Sequence, residues 1–217
     1  RSNFTFLTGA SHPEELVERA QALGYSALAL TDEASLSGVV RAHAEARRLG
    51  LHLIVGAQMQ LDAPGRGAET GPCLVLLAQS RRGYGNLAQW ITVARRRAGK
   101  GRYQALVTDL EGRVPHAPYL AGLPDCFALL LHRPWQSFES LFAQAMWLKT
   151  WFGAERCALA VELLHRAHDA HRLETVQRVA ELTGLTLVAA GDVLMHSRSR
   201  KPLQDVLAAT RLQRPVD

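Results

Sequence analysis

Ser26-Ala-Leu-Ala-Leu-Thr31-Asp32-Glu33, then Ala34 to Gly50, then Leu51-His-Leu-Ile-Val-Gly56-Ala-Gln58-Met-Gln-Leu61, is the stretch that decides the fold. It reads as strand, polar turn, helix, strand. Ala27 to Leu30 is a short apolar run, the pattern of a strand buried on both faces. The spacing of Leu36, Val39, Val40, Ala46 and Leu49 predicts a helix with one buried face, and Gly50 stops it. Leu53 to Val55 makes the next strand. A parallel crossover of this kind puts Thr31, Asp32 and Glu33 at the carboxyl end of its first strand, the edge where α/β proteins place their chemistry.

The same alternation runs outward along the chain. Upstream, Asn3 to Leu7 alternates weakly, which predicts a strand, and Ser11-His-Pro-Glu14 reads as a capping box opening a helix that ends at Gly24. Downstream, Asp62 to Pro72 reads as a loop, because Pro64, Gly65, Gly67 and Gly71 fall among polar residues. Strands are expected at Cys73–Ala78, Cys126–Leu131, Cys157–Leu163 and Leu185–Ala190. Helices are expected at 86–97, 134–152, 172–183 and 202–212. Residues 99–122 read as an irregular crossing with a short helix near Gln104 to Leu110. Six or seven alternations of strand and helix predict one α/β domain, a barrel or a doubly wound sheet, over residues 1–217.

Composition agrees with a packed domain. The chain has 217 residues, 47% of them hydrophobic, enough for a sizeable core. No apolar run reaches membrane-spanning length, so no membrane partner is expected. Cys73, Cys126 and Cys157 are far apart and lack metal-ligand spacing, which reads as buried free thiols in a reducing cytoplasm. The chain opens at Arg1 in mid-element, which we take as a boundary within a longer polypeptide.

The formal charge of +5 is local. Arg81, Arg82, Arg95, Arg96, Arg97, Lys100 and Arg102 include no acid among them. Arg198, Arg200, Lys201, Arg211 and Arg214 form a second group, opposed by Asp205. Such groups suit a polyanion such as nucleic acid, or equally a solvated basic face. Few aromatic residues interleave with them, so no base-stacking platform is indicated.

Two motifs in the sequence have ordinary structural explanations. Gly83-Tyr-Gly85-Asn-Leu-Ala88 matches a loose dinucleotide pattern, but Gln79 to Arg82 separates it from the preceding strand, and a loop leading into a helix is the default reading. His165, His168 and His171 are spaced for a helical metal site, but their polar neighbours indicate exposed surface. The strand ends carry more. Thr31, Asp32, Glu33, Gln58, Glu162 and Asp192 follow or lie near the ends of strands expected to be parallel. Convergent carboxylates there point to divalent metal and phosphoryl hydrolysis, but no histidine completes the set, and Gln58 supplies no charge.

Asn3-Phe-Thr-Phe-Leu-Thr-Gly-Ala-Ser-His-Pro-Glu-Glu-Leu, Ala29-Leu-Thr-Asp-Glu, Leu53-Ile-Val-Gly-Ala-Gln, Gly83-Tyr-Gly-Asn-Leu and Ala190-Gly-Asp-Val-Leu-Met-His-Ser-Arg-Ser-Arg-Lys-Pro-Leu-Gln-Asp together resemble the PHP (polymerase and histidinol phosphatase) domain. In detail they resemble the N-terminal PHP domain of bacterial error-prone DNA polymerases, paralogues of the polymerase III α subunit. The resemblance implies a seven-stranded, distorted (β/α) barrel whose active members hold up to three metals at the strand ends and hydrolyse phosphoesters. It implies residue by residue that the ligand positions here are Arg1, Thr8, Asp32, Glu33, Gln58, Asp192 and Leu194, with His196 two places too far along. Asp32, Glu33 and Asp192 are the weak metal candidates that remain, and Arg1 is placed to pair with Asp32 or Asp192.

The expectation is therefore a cytoplasmic, non-catalytic structural domain at the N-terminus of a translesion polymerase, with no cofactor of its own. The remaining polymerase domains and DNA are the partners the resemblance implies, and mutagenesis accessory proteins and a sliding clamp stay open. Arg95, Arg96, Arg97, Lys100, Arg198, Arg200 and Lys201 are the nucleic-acid candidates. Two alternatives stand beside this: an active phosphoesterase or 3′–5′ exonuclease using zinc, manganese or magnesium, and a DNA-binding module.

Overall fold

The computed structural model describes residues 1–63, 71–134, 136–164 and 167–216. The core of the loop expected at Asp62 to Pro72, and His165, lie outside the described residues. The chain divides into two compact units, Arg1–Ala57 with Asp192–Asp217, and Gln58–Gly191.

In the first unit, helix α1 (Pro13–Ala22) and helix α2 (Val39–Leu49) pack against strand β1 (Ala27–Leu30), which pairs in parallel with the first half of β2 (His52–Asp62), Ala27 opposite His52 and Leu30 opposite Val55. Leu16, Val17, Ala20, Leu30, Ala42 and Ala46 close the core between them. Gly50 ends α2 at φ 72°, the left-handed turn that only glycine adopts freely. Residues 34–38 form the approach to α2 rather than its first turn. That rotates the expected face: Ala42 and Ala46 are buried, whereas Val40 is 76% exposed. Asn3 to Leu7 is not a strand but a series of tight turns. The Thr5 side chain within it and the Ser2 side chain just before it close on Asp32 instead of on a neighbouring strand.

In the second unit, β2 continues and pairs in parallel with the short β4 (Ala105–Leu106). Strands β3 (Cys73–Ala78), β5 (Cys126–Leu131), β6 (Cys157–Glu162) and β7 (Thr186–Ala190) follow in the order β2-β3-β5-β6-β7. The β5–β6 and β6–β7 pairs are parallel, but β3 runs antiparallel to β5, a reversal the sequence reading did not anticipate. Both strands are apolar runs, and such runs suit either direction when both faces are buried.

Helices α3 (Arg81–Arg97), α4 (Phe138–Phe152) and α5 (Asp169–Thr183) cover the second unit. The side chain of Ser80 caps α3 by accepting from the Gly83 amide. Gly83 and Gly85 thus lie in the first turns of a helix rather than in a phosphate loop. A Cβ at Gly83 would stand 2.0 Å from the Asp125 carbonyl oxygen, so close helix packing explains that glycine. Residues 104–110 hold β4 and the start of a kinked turn at Asp109–Arg113 in place of the expected helix. Helix α6 (Lys201–Leu212) ends the first unit. Cys73, Cys126 and Cys157 are buried free thiols, and burial pushes Cys126 up to about 12. Among the described residues no helix is long and apolar enough to cross a membrane.

Candidate functional site

The first unit brings four of the residues singled out in the sequence together. Strand β1 ends at Leu30 and delivers Asp32, 1% exposed, to the turns of residues 2–8. Its Oδ1 accepts from the Ser2 amide at 2.7 Å and from the Thr5 hydroxyl at 2.8 Å, and its Oδ2 accepts from the Ser2 hydroxyl at 2.7 Å. The Thr5 hydroxyl oxygen in turn accepts from the Glu33 amide at 3.1 Å. Gly38 closes the remaining approach, because a Cβ there would lie 3.0 Å from Asp32 Oδ2 and 3.1 Å from Ser2 Oγ. Three donors therefore surround a buried carboxylate.

Asp192 stands two residues after β7, at φ 39°, a left-handed conformation that Asp tolerates better than most residues. The Arg1 guanidinium grips it with two parallel bonds, Nε to Oδ1 at 2.8 Å and Nη2 to Oδ2 at 2.6 Å. Arg1 Nη1 also lies 3.9 Å from Glu33 Oε2. The main-chain nitrogen of Arg1 donates to the Val193 carbonyl at 2.8 Å, so both ends of Arg1 hold the segment that follows β7. The Arg1 side chain is only 12% exposed, against 29% for Asp192 and 38% for Glu33. The fork geometry is the one in which arginine binds carboxylates best.

The other positions do different work. The Thr8 hydroxyl reaches no further than the Phe6 carbonyl, at 3.4 Å. Leu194 contributes its carbonyl, which accepts from the Ala10 amide at 2.7 Å. His196 turns to α1, its Nδ1 2.8 Å from Ser11 Oγ and 3.7 Å from Glu15 Oε2. Burial tends to raise the pKa of Glu15, but the His12 amide, Arg200 and His196 outweigh it and hold the carboxyl below its usual value. Gln58 and Glu162 belong to the second unit, Gln58 half-buried within β2 and Glu162 at the end of β6 opposite Ala190. Among the described residues no set of three or more His, Cys, Asp or Glu side chains is arranged to hold a metal ion. His168 and His171 are exposed.

The basic candidates divide by what they touch. Arg97 forms two 2.6 Å bonds to Asp109, which is 1% exposed and also accepts from Trp90 Nε1 and the Leu106 amide, both at 3.0 Å. Arg95 lies over the Tyr103 ring, Arg200 binds Glu15 and Lys201 binds Asp205. Arg96, Lys100 and Arg198 are exposed.

Sequence reasoning missed two polar centres. Asp109 is one; its signal was Trp90 and Arg97 seven residues apart on one helix face, with Asp109 and Glu111 in the following crossing. His132 is the other. It follows β5 and is 8% exposed. Burial pulls its pKa below the ordinary 6.5, with Arg172 and His171 acting in the same direction against a hydrogen bond to the Gln136 backbone, which raises it.

Residues 1–163 match the PHP domain. The chain belongs to the PHP domain family. Its PHP sequence is similar to error-prone DNA polymerases: 53% identical over 217 residues to that of Ralstonia nicotianae, covering 99% of this chain and 20% of that one. With the error-prone DNA polymerase of Bordetella parapertussis it is 50% identical over 217 residues, covering 100% and 20%, and with that of Methylococcus capsulatus 50% over 215 residues, covering 99% and 19%. The chain thus spans about one fifth of the length of the curated relatives it matches. Among solved structures, a sulfate-bound, metal-free amidohydrolase of Chromobacterium violaceum superposes with a TM-score of 0.62 at 19% identity, over 87% of this chain and 84% of that one. A protein of Bifidobacterium adolescentis assigned as a metal-dependent phosphoesterase gives 0.58 at 14% identity, over 88% and 84%. The α/β fold of the PHP type, with seven strands among the described residues, is therefore the fold of this chain.

Proposed function

We propose that residues 1–217 are the N-terminal PHP domain of an error-prone, translesion DNA polymerase, and that the domain serves the longer chain as a structural module. One observation carries the structural role. The Arg1 guanidinium occupies both carboxylate oxygens of Asp192, where a phosphoesterase of this family would hold metal. A divalent cation needs several anionic or imidazole ligands free to coordinate. Here Asp192 is neutralised, Asp32 is enclosed by three donors, and His196 is held by Ser11. Thr8, Gln58 and Leu194 carry no negative charge. These residues do not fit a divalent cation, and we route no hydrolytic step through one.

Nucleotidyl transfer belongs to the polypeptide outside this domain, and the exposed Arg96, Lys100 and Arg198 are among the basic side chains available to DNA. Buried free thiols suit a cytoplasmic protein of this kind. A second reading, metal-dependent hydrolysis of a phosphoester or of a 3′ end, draws on the phosphoesterase of like fold.

The test is 3′-end cleavage of primer–template DNA by residues 1–217 with magnesium, manganese or zinc, beside primer extension by the longer chain. We expect extension by the longer chain and no metal-stimulated cleavage by either. Metal-stimulated cleavage by residues 1–217, lost in Asp192→Asn, would establish the second reading instead.

A further inference from the structure

Helix α6 is the one helix of six among the described residues that buries no side chain. Its main packing is against the short turn Arg198–Arg200 that leads into it. That turn is firmly held: Arg200 binds Glu15 of α1, and His196 binds Ser11. The helix is thus anchored at its base and fully buries none of its side chains. A helix of 12 residues is marginal in water without an apolar face to bury.

Such a face exists. Gln204, Leu207 and Ala208 lie on the half-buried side, whereas Leu203, Val206 and Thr210 form a stripe at helical spacing on the other. Leu203 is 42% and Val206 49% exposed. Lys201 is neutralised by Asp205 on the same helix, so the polar side is not the strongly cationic one of a membrane-surface helix. The relatives that match through this region are about five times as long as the stretch they share with this chain, so most of the polypeptide that could cover the stripe lies outside it.

We propose that the Leu203–Val206–Thr210 face of α6 is a docking surface for polypeptide of the same chain outside residues 1–217. The proposal rests on the reading of this domain as part of a longer polymerase. The domain would then be fixed to its neighbours through a helix held at its base by Glu15, with apolar side chains supplying the contact.

The experiment places a photo-crosslinking benzoylphenylalanine at Val206 in the longer chain, with Glu181 on the exposed side of α5 as the control position, and maps crosslinks by mass spectrometry. The expected result is crosslinking from position 206 to peptides of the same molecule outside residues 1–217, with position 181 giving few. Crosslinks from 206 only within residues 1–217, only to a second copy, or to lipid when anionic vesicles are added would each overturn it, as would none at all. In parallel, Val206→Asp in the longer chain is expected to speed tryptic release of the domain about tenfold, as loss of a central apolar contact does; an unchanged rate would count against the proposal. Neither readout depends on polymerase or hydrolase activity, so failure here is separable from failure of the functional reading.

Discussion

Replacing Asp32 separates a structural carboxylate from a metal ligand by the sign of the effect. In Asp32→Ala, the Ser2 amide and the Ser2 and Thr5 hydroxyls lose their acceptor, and Ser2 and Thr5 are themselves buried. Each orphaned buried donor costs about 1–3 kcal/mol. The two hydroxyls can turn to other acceptors, and removing a buried charge returns part of its desolvation cost, so a net loss of about 3 kcal/mol is expected. Asp32→Asn keeps one acceptor oxygen and should lose about 1–2 kcal/mol. With a urea slope of ~2–3 kcal/mol/M for a chain of this size, the alanine variant should unfold at a midpoint lower by ~1–1.5 M. The assay is urea unfolding followed by circular dichroism in the presence of EDTA. A carboxylate kept for metal would behave in the opposite way, since its removal relieves repulsion in the metal-free protein. An Asp32→Ala midpoint equal to or above that of the unaltered chain would refute the reasoning.

Further outcomes follow from other parts of the structure. Asp109→Asn removes the charge that faces Arg97 and should cost about 3 kcal/mol in the same assay, because breaking a largely buried pair leaves its partner uncompensated. Gly83→Ala should destabilise by about 1–3 kcal/mol through collision with the Asp125 carbonyl, whereas Gly85→Ala, with open space at its Cβ, should stabilise by ~0.5–1 kcal/mol as a glycine replaced in a helix. For His132 the folded pKa lies below 6.5, so the unfolded chain takes up the proton first as pH falls. Stability should therefore decline from about pH 6.5 downward until the folded pKa is reached. The chain carrying His132→Gln should decline less over that window, measured by thermal unfolding.

Much of the α/β order was legible because glycines and apolar periods mark it. Gly50 and Gly184 end α2 and α5 in left-handed turns, and the runs at Cys73, Cys126 and Cys157 are strands. Local patterns failed where a distant residue decides the conformation. The weak alternation of residues 3–7 resembles a strand, but the Ser2 and Thr5 hydroxyls bond to Asp32, about thirty positions away, and this shapes the turns. The direction of β3 against β5 was not legible, since an apolar run does not encode it. At the site, the resemblance supplied the positions and the sequence supplied their altered charges. The fork from Arg1 to both oxygens of Asp192 required the fold, which brings residues 191 positions apart into contact.

The most direct test of the account is a calorimetric titration of manganese and of zinc into residues 1–217, beside the same titration of Asp192→Asn. Neither metal is expected to bind stoichiometrically, because Arg1 already neutralises Asp192 and the Asp32 oxygens are taken by Ser2 and Thr5. Tight binding of one or more metal ions per chain, abolished in Asp192→Asn, would contradict it.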